Sequence, residues 1–345
     1  MIILQDYTLT ELTEYITANY NVKPYVAKQI FGWLTRSVDF DGMTNVAKSL
    51  RERLKQHCVA VASKIIKTLT SADGTQKFLF ELYDGNVVEG VLMKYKYGNT
   101  LCVSSQVGCR MGCRFCASTL EGLVRNLSAG EILSQVLSVN ALSNNKERYV
   151  TNIVMMGSGE PLDNFDNVVK FLRLVTDKDG INISERNISL STCGIVPRMK
   201  ELADIGFSLN LTLSLHNADN AERKEIMPVT NAYSVEEAVS ACRYYFEKTG
   251  RRVIVEYTLI NGQNDTRAHA LKLASVLRGM SVHVNVIPLN PVKETGLKGT
   301  SEAAIKKFLQ YLSDLNVSAT RRRTMGQDIE GACGQLRRRY LDNGL

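Results

Sequence analysis

"TLCVSSQVGCRMGCRFCAS", Thr100 to Ser118, starts as an apolar and hydroxylic run and ends on three cysteines, Cys109, Cys113 and Cys116. The first half reads as a β-strand. The second half, with Gly108 and Gly112, reads as a tight loop at the strand's C-terminal end. In sheets of parallel strands joined by helices, ligands gather at those ends. The stretch therefore predicts a parallel α/β fold and a site built on thiols.

Outward from it, five further strand-like runs follow: "NIVMMG", "NISLST", "LNLTLSL", "RVIVEYTL" and "VHVNVIPL". Helical patterns alternate with them, among them "SAGEILSQVLSVNAL" and "SVEEAVSACRYYFEKTG", and "SEAAIKKFLQYLSDL" follows the last strand. Ser128 with Glu131 and Ser234 with Glu237 read as capping boxes. Six strand–helix units argue a parallel sheet, curled as a partial barrel or open and doubly wound. Upstream, residues 1–58 show helical periodicity, as in "LTELTEYITANY" and "PYVAKQIFGWLTR". Residues 59–98 switch to a period of two, with a β-hairpin about Asp84-Gly85. The barrel units span 99–318, and 319–345 form a basic C-terminal tail.

At 345 residues and 44% hydrophobic, the chain can bury a sizeable core without crosslinks. Eight cysteines are too few for a disulfide scaffold. "MIILQDYTLTE" lacks the basic start of a signal peptide, and no run reaches the ~18 apolar residues of a membrane span. These features predict a soluble, cytoplasmic protein whose thiols stay reduced and hold metal. The formal charge is +7, and arginines cluster in "ATRRRT" and "LRRRY" near the C-terminus. With the basic helix "KSLRERLKQH", these runs suit an RNA partner better than solvated faces alone.

A structural zinc site takes four protein ligands, and no fourth Cys or His lies within the Cys109–Cys116 loop. A disulfide would leave one thiol over. Three thiolates can hold a 4Fe-4S cluster and leave one iron open to a substrate or cofactor. Other strand ends carry polar or small residues too: "GSGEP" (Gly157 to Pro161), Ser191 to Cys193, Ser214 with His216, and Asn290-Pro291.

Cys109-x-x-x-Cys113-x-x-Cys116 resembles the signature of radical S-adenosylmethionine enzymes, whose fold is a partial (βα)6 barrel. "TLCVSSQVGCRMGCRFC", "MMGSGEPLDNFDNV", "ISLSTCGIVP", "LSLHNADNAERKEIMPV" and "DIEGACGQL" together resemble the RNA adenine C2 methyltransferases, the RlmN family, over nearly the whole chain. The resemblance implies methylation of C2 of an adenine in 23S ribosomal RNA near the peptidyl-transferase centre. It also implies action on the adenine beside the anticodon of certain transfer RNAs. It implies a 4Fe-4S cluster on Cys109, Cys113 and Cys116, and two molecules of S-adenosylmethionine per turnover. Gly159, Glu160, Ser191, Ser214, Leu215, His216 and Asn290 match cofactor-binding positions. Cys333 matches the cysteine that carries a methyl group, Cys102 the second cysteine, and Glu89 a proton acceptor. A Cys102–Cys333 disulfide would close each turnover and need reduction. Ser158 stands where Met is frequent and Asn217 where Ala is usual, and neither change removes a matched side-chain function. The implied partners are 23S ribosomal RNA before full ribosome assembly, transfer RNA, and an electron donor such as flavodoxin or ferredoxin. The protein would act as a monomer away from membranes.

Rival readings are the C8 methyltransferases of the same RNA adenine (the Cfr group), a glycyl-radical activase, and a non-catalytic iron–sulfur assembly factor. "GEPL" and the full N-terminal region resemble the C2 group. An activase would leave Cys102 and Cys333 unexplained, and the Gly159-Glu160 motif argues against a factor without cofactor. Cys58, Cys193 and Cys242 read as packing residues, and His57, His269 and His283 as surface or packing residues.

Overall fold

The structure is a computed structural model that describes residues 1–143, 149–290, 295–323 and 325–329. Strands β1 (Ile2–Ile3) and β2 (Cys58–Val59) pair in parallel and enclose three helices, α1 (Leu9–Tyr20), α2 (Pro24–Leu34) and α3 (Lys48–Lys55). A Thr8/Glu11 capping box starts α1, and Pro24 starts α2, where its missing N–H costs nothing. Apolar residues at helical spacing, including Leu12, Ile16, Ile30, Leu34, Leu50 and Leu54, give this region a core of its own. The basic helix α3 spends much of its charge at home. Arg51 donates to the Phe40 and Asp41 carbonyls, Arg53 to Tyr20 O, and Lys55 pairs with Asp41.

Next come β3 (Ser63–Thr70), β4 (Gln76–Leu82), β5 (Val87–Tyr95) and β6 (Gly98–Cys102), paired antiparallel in that order from β3 to β6. The expected hairpin turns at Asp84-Gly85, but β3 gives it a third strand. Beyond β6 the chain forms β7 (Gln106–Gly108), β8 (Leu123–Asn126), α4 (Ala129–Ala141), β9 (Asn152–Met155), α5 (Phe165–Thr176), β10 (Ile188–Thr192), α6 (Val196–Ile205) and β11 (Asn210–Ser214). Then follow α7 (Asn220–Ile226), α8 (Val235–Thr249), β12 (Val253–Leu259), α9 (Arg267–Val276), β13 (Val282–Pro288), α10 (Glu302–Asp314) and β14 (Ala319–Arg321).

Ten strands make one sheet in the order β14-β13-β12-β11-β10-β9-β6-β5-β4-β3. From β14 to β6 every pairing is parallel. The start of the basic tail is therefore a strand of the sheet and not an appendage. The antiparallel strands continue the same sheet, because β5 uses the free edge of β6. Alternation along each strand sorts the faces. Leu190, Leu211, Leu213, Val255 and Val284 pack under the helices in the main core. Burial of each such side chain contributes about 1.5–3 kcal/mol.

Helix α4 is buried at every position from Ala129 to Val139, because it has two neighbours. One is the sheet; Ser134 and Ser138 bond Ser63 at the start of β3. The other is the N-terminal region, where Asp6 accepts from Gly130 N–H. A Cβ at Gly130 would come within 2.7 Å of Asp6 N, so glycine sets this close approach. No helix among the described residues is long and apolar enough to cross a membrane.

Candidate functional site

The cysteine loop is framed by the short β7–β8 ribbon, antiparallel from Gln106↔Asn126 to Gly108↔Leu123. Gly108 opens it with φ +76, and a Cβ there would fall 2.0 Å from Gly122 O. Only glycine fits such a contact. Cys109 and Cys113 are buried and Cys116 is half-buried. Burial pushes the Cys109 thiol up to about 12 and raises Cys113 as well, so thiolates here need positive charge beside them. The irons of a cluster supply such charge, and thiolate sulfur is the donor they take. Among the described residues no three His, Cys, Asp or Glu side chains converge on one ion position. A cluster does not require that, since each thiolate meets a different iron.

The loop rests on the segment after β11. Arg114 N donates to Ile226 O at 3.0 Å, and the ideal Cβ position of Gly112 lies 3.4 Å from Pro228. Cys113, Cys193, Ile226, Met227, Ile260 and Leu289 form a small buried cluster, with Met111, Phe115 and Cys116 against it. Phe115 sets its ring edge against His216, centroids 4.7 Å apart.

Behind the loop, "GSGEP" follows β9. Gly159 has φ +105, and a Cβ would come 2.6 Å from Gln106 Cβ and 2.8 Å from Gln106 N. This brings the motif's backbone against the strand that leads into the cysteines. The Glu160 carboxylate is turned inward, accepting from Cys193 N (2.8 Å) and Leu162 N (3.1 Å). Its burial raises its pKa against those bonds. The side chain thus ties the segments after β9 and β10 together. Ser158 and Asn217, the two departures from the family pattern, are buried and bonded: Ser158 N–H to Ser104 Oγ, Asn217 Nδ2 to Glu222.

Ser191 and Ser214 meet at 3.1 Å between hydroxyls, one strand apart. Ser214 Oγ lies 3.5 Å from Glu256 Oε2 on β12, and Glu256 Oε1 accepts from Arg322 Nη1 at 2.9 Å. Arg322 also reaches Met156, just past β9. A polar line therefore crosses the inner face of the sheet. Leu215 is different: its side chain is in the core, its N–H bonds Glu256 O and its carbonyl bonds Arg223. His216 is buried with φ +57, and its Nδ1 accepts from Thr258 N–H at 3.0 Å. That bond puts the proton of the neutral ring on Nε2. Burial first, then the Arg223 charge, lowers its pKa to about 3, so the ring is neutral near pH 7. Asn290 is exposed just after β13.

Register places Cys102 opposite Val91, and Val91 opposite Lys77. Leu79 pairs with Glu89 two positions along, so Lys77, Glu89 and Cys102 share one sheet face. Lys77 Nζ lies 3.2 Å from Glu89 Oε2, with both side chains buried. Cys333 lies outside the described residues, as does its expected disulfide with Cys102.

The sequence pointed to the cysteines, Gly159, the serines and Glu89. It did not single out Lys77, Arg223 or Glu256, and it read Arg322 only as part of a basic run suited to RNA. Two arginines of the 321–323 run are spoken for inside the fold, Arg321 by Glu302 and Arg322 by Glu256.

Residues 103–274 match the Radical SAM superfamily, which works with a 4Fe-4S cluster and S-adenosylmethionine. Residues 2–60 match the ribosomal RNA large subunit methyltransferase N-terminal domain. A "probable dual-specificity RNA methyltransferase RlmN" of Clostridium novyi (strain NT) is 48% identical over 98% of each chain. A protein of the same name from Lachnoclostridium phytofermentans is 51% identical over 94% of this chain and 91% of its own. A radical SAM methyltransferase from Sphaerobacter thermophilus has a solved structure that superposes with a TM-score of 0.92 at 41% identity, covering 97% of this chain and 99% of that one. Full-length identity and a shared fold, on top of the three-thiol loop and the strand-end motifs, lead to one conclusion: the chain belongs to the RlmN family of radical SAM RNA methyltransferases.

Proposed function

We propose that this enzyme methylates C2 of an adenine in 23S ribosomal RNA near the peptidyl-transferase centre, and C2 of the adenine beside the anticodon of some transfer RNAs. The observation that carries the reading is the shared inner face of Lys77, Glu89 and Cys102, next to the strand end where the three thiols stand. The relatives' name, with its dual specificity, supports the two RNA classes.

In this reading Cys109, Cys113 and Cys116 hold the cluster, leaving one iron for S-adenosylmethionine. Bound there, the cluster and S-adenosylmethionine would supply a 5′-deoxyadenosyl radical by one-electron cleavage of the sulfonium. The backbone at Gly159-Glu160, the Ser191 and Ser214 hydroxyls, the backbone at Leu215, His216 and Asn290 position the cofactor. C2 of adenine is electron-poor and does not attack a sulfonium methyl, so a thiolate does. Cys333 sulfur takes the methyl of a first cofactor, releasing S-adenosylhomocysteine. The radical from a second removes a hydrogen from that S-methyl group, and the carbon radical adds to C2. Glu89 or Cys102 accepts the C2 proton, and the adduct radical would give one electron back to the oxidised cluster, leaving a closed-shell Cys333–CH2–adenine thioether. Cys102 thiolate then attacks Cys333 sulfur, the bond from that sulfur to the CH2 carbon breaks, the carbon takes up a proton to become the C2 methyl group, and a Cys102–Cys333 disulfide forms. An external two-electron donor reduces that disulfide, and a one-electron donor of the flavodoxin or ferredoxin class would first reduce the cluster. The target base must leave its stack, which costs a few kcal/mol unless the RNA presents it unpaired. Free 23S RNA, before assembly is complete, meets that need, and a monomer suffices.

Cys102→Ala is the test. The variant accepts the methyl, adds to adenine and stalls with RNA attached, which a denaturing gel reads. Nuclease digestion and mass spectrometry place the bridge between Cys333 and C2. A bridge to C8 moves the enzyme to the C8 group, and no adduct under turnover conditions overturns the roles of both cysteines.

A further inference from the structure

Arg223 lies in α7, whose sequence "NAERKEI" reads as a surface helix, yet its side chain is fully buried. The guanidinium donates from Nε to Leu215 O (2.9 Å), from Nη1 to Thr230 Oγ1 (2.9 Å), and from Nη2 to Cys193 O (2.7 Å) and Ser214 O (3.2 Å). Every one of these acceptors is neutral. Among the described residues Arg223 forms no ion pair with a carboxylate. Burying a cation without an ionic partner costs several kcal/mol. The four bonds explain why the side chain is held, but not why the holder is charged.

The surroundings explain the charge. The same turn of chain carries Arg223 and the cysteine loop: Met227 N–H bonds Arg223 O, and Ile226 O accepts from Arg114 N–H in the loop. Cys193, whose carbonyl takes the shortest of the four bonds, packs in one cluster with Cys113. His216 feels the Arg223 charge and stays neutral, so it offsets nothing.

A cluster held by thiolates is anionic before reduction and gains one more negative charge on it. In a low-dielectric site a fixed cation favours the more negative state. Net charge and hydrogen bonding around the sulfurs are what set such potentials. Arginine suits the place better than lysine, because its planar fork serves several strand-end carbonyls and it never gives up its proton.

We propose that Arg223 is the fixed counter-charge of the iron–sulfur cluster, a positioning residue that braces three strand-end carbonyls and raises the cluster's one-electron reduction potential. This rests on the reading that Cys109, Cys113 and Cys116 hold that cluster.

The test uses the full chain, reconstituted anaerobically and without RNA. Iron content is measured first, then the midpoint potential, by mediated titration of the reduced cluster's electron paramagnetic resonance signal. Arg223→Gln keeps hydrogen bonding and removes the charge. Its reduction equilibrium constant falls at least tenfold, which is 59 mV for one electron. Arg223→Lys keeps the charge and stays within threefold of the wild-type constant. A second pair of variants leaves Arg223 in place. Thr230 is partly exposed and its hydroxyl sits on Nη1, so Thr230→Glu gives the arginine the carboxylate it lacks. Thr230→Glu shifts the potential in the same direction, and Thr230→Gln does not. If Arg223→Gln fails to fold or to load iron, the Thr230 pair decides. Equal potentials for Arg223→Gln and wild type, or for Thr230→Glu and Thr230→Gln, overturn the proposal. Wild-type protein that loads no iron overturns the reading of the loop itself, which is a separate failure.

Discussion

Lys77 and Arg223 are both cations with no solvent exposure, and the protein treats them in opposite ways. Lys77 on β4 faces the Glu89 carboxylate at 3.2 Å, so its charge is cancelled where it stands. Among the described residues Arg223 hydrogen-bonds only to carbonyls and a hydroxyl, so its charge reaches further. A neutralised pair serves local arrangement, here the face that also carries Cys102. An unneutralised charge acts on whatever binds nearby, and what lies nearby is the cysteine loop.

The largest break in that comparison comes from removing the lysine. Lys77→Met strands a buried carboxylate and lowers unfolding free energy by about 3–5 kcal/mol. Chemical denaturation checks this. The double variant Lys77→Met/Glu89→Leu removes both charges and recovers most of the loss. A double variant as unstable as the single one would mean that packing, not charge, decides at this face.

The arginine run sharpens the comparison at the surface, where charges are screened. Arg321 is paired with Glu302, both partners being well exposed, and Arg323 forms no ion pair among the described residues. Arg321→Gln therefore changes stability by less than ~1 kcal/mol. Arg323→Gln leaves stability unchanged and lowers the salt slope of RNA binding by about one. Salt-dependent affinity measurements separate the two. Equal loss of slope in both variants would mean that Glu302 releases Arg321 to the RNA.

The smallest effect is at Asp84, in the turn between β4 and β5. Burial pushes its carboxyl up, but the Arg125 guanidinium and the Asn86 amide outweigh that and hold it at about 2. A lowered carboxyl stabilises the fold above its unfolded value and loses that stability as pH falls. Asp84→Asn accordingly costs under ~1 kcal/mol at neutral pH, after allowing for solvent screening. The gap between variant and wild type closes as pH falls from 3.8 to about 2. A gap that persists at low pH would assign the cost to the turn's hydrogen bonds.

Much of the barrel was legible because parallel strands and their helices carry period and punctuation in the chain itself. "LNLTLSL" marks β11 to within a residue at each end, and Ser128/Glu131 and Ser234/Glu237 form the capping boxes expected. Pairing between distant segments was not legible. The edge position of β14 follows from β13 offering free bonds, not from "ATR". The same holds for charge. "NAERKEI" has the composition of a solvated helix, and Arg223 is buried because the ends of β10 and β11 and the 3-10 turn Pro228–Asn231 supply the acceptors around it. Lys77 looks like an ordinary strand cation until β5 brings Glu89 diagonally beside it on the same face. Local pattern reports which face a residue takes, but its burial depends on what else arrives there.

One feature of the sheet's open edge sets a limit on reach. Asp328 accepts from Ser71 Oγ and from Ala72 N–H, and Gly326 N–H donates to Asp73, so the chain beyond β14 is pinned to the β3–β4 turn. Cys333 follows Asp328 by five positions in the sequence. Fully extended chain covers at most ~3.6 Å per residue. Whatever course those residues take, the Cys333 α-carbon stays within about 18 Å of Asp328. The pin acts as the fixed end of a tether. Asp328 and the five-residue turn 71–75 fix the point from which that length is measured, and any substitution that loosens them moves it.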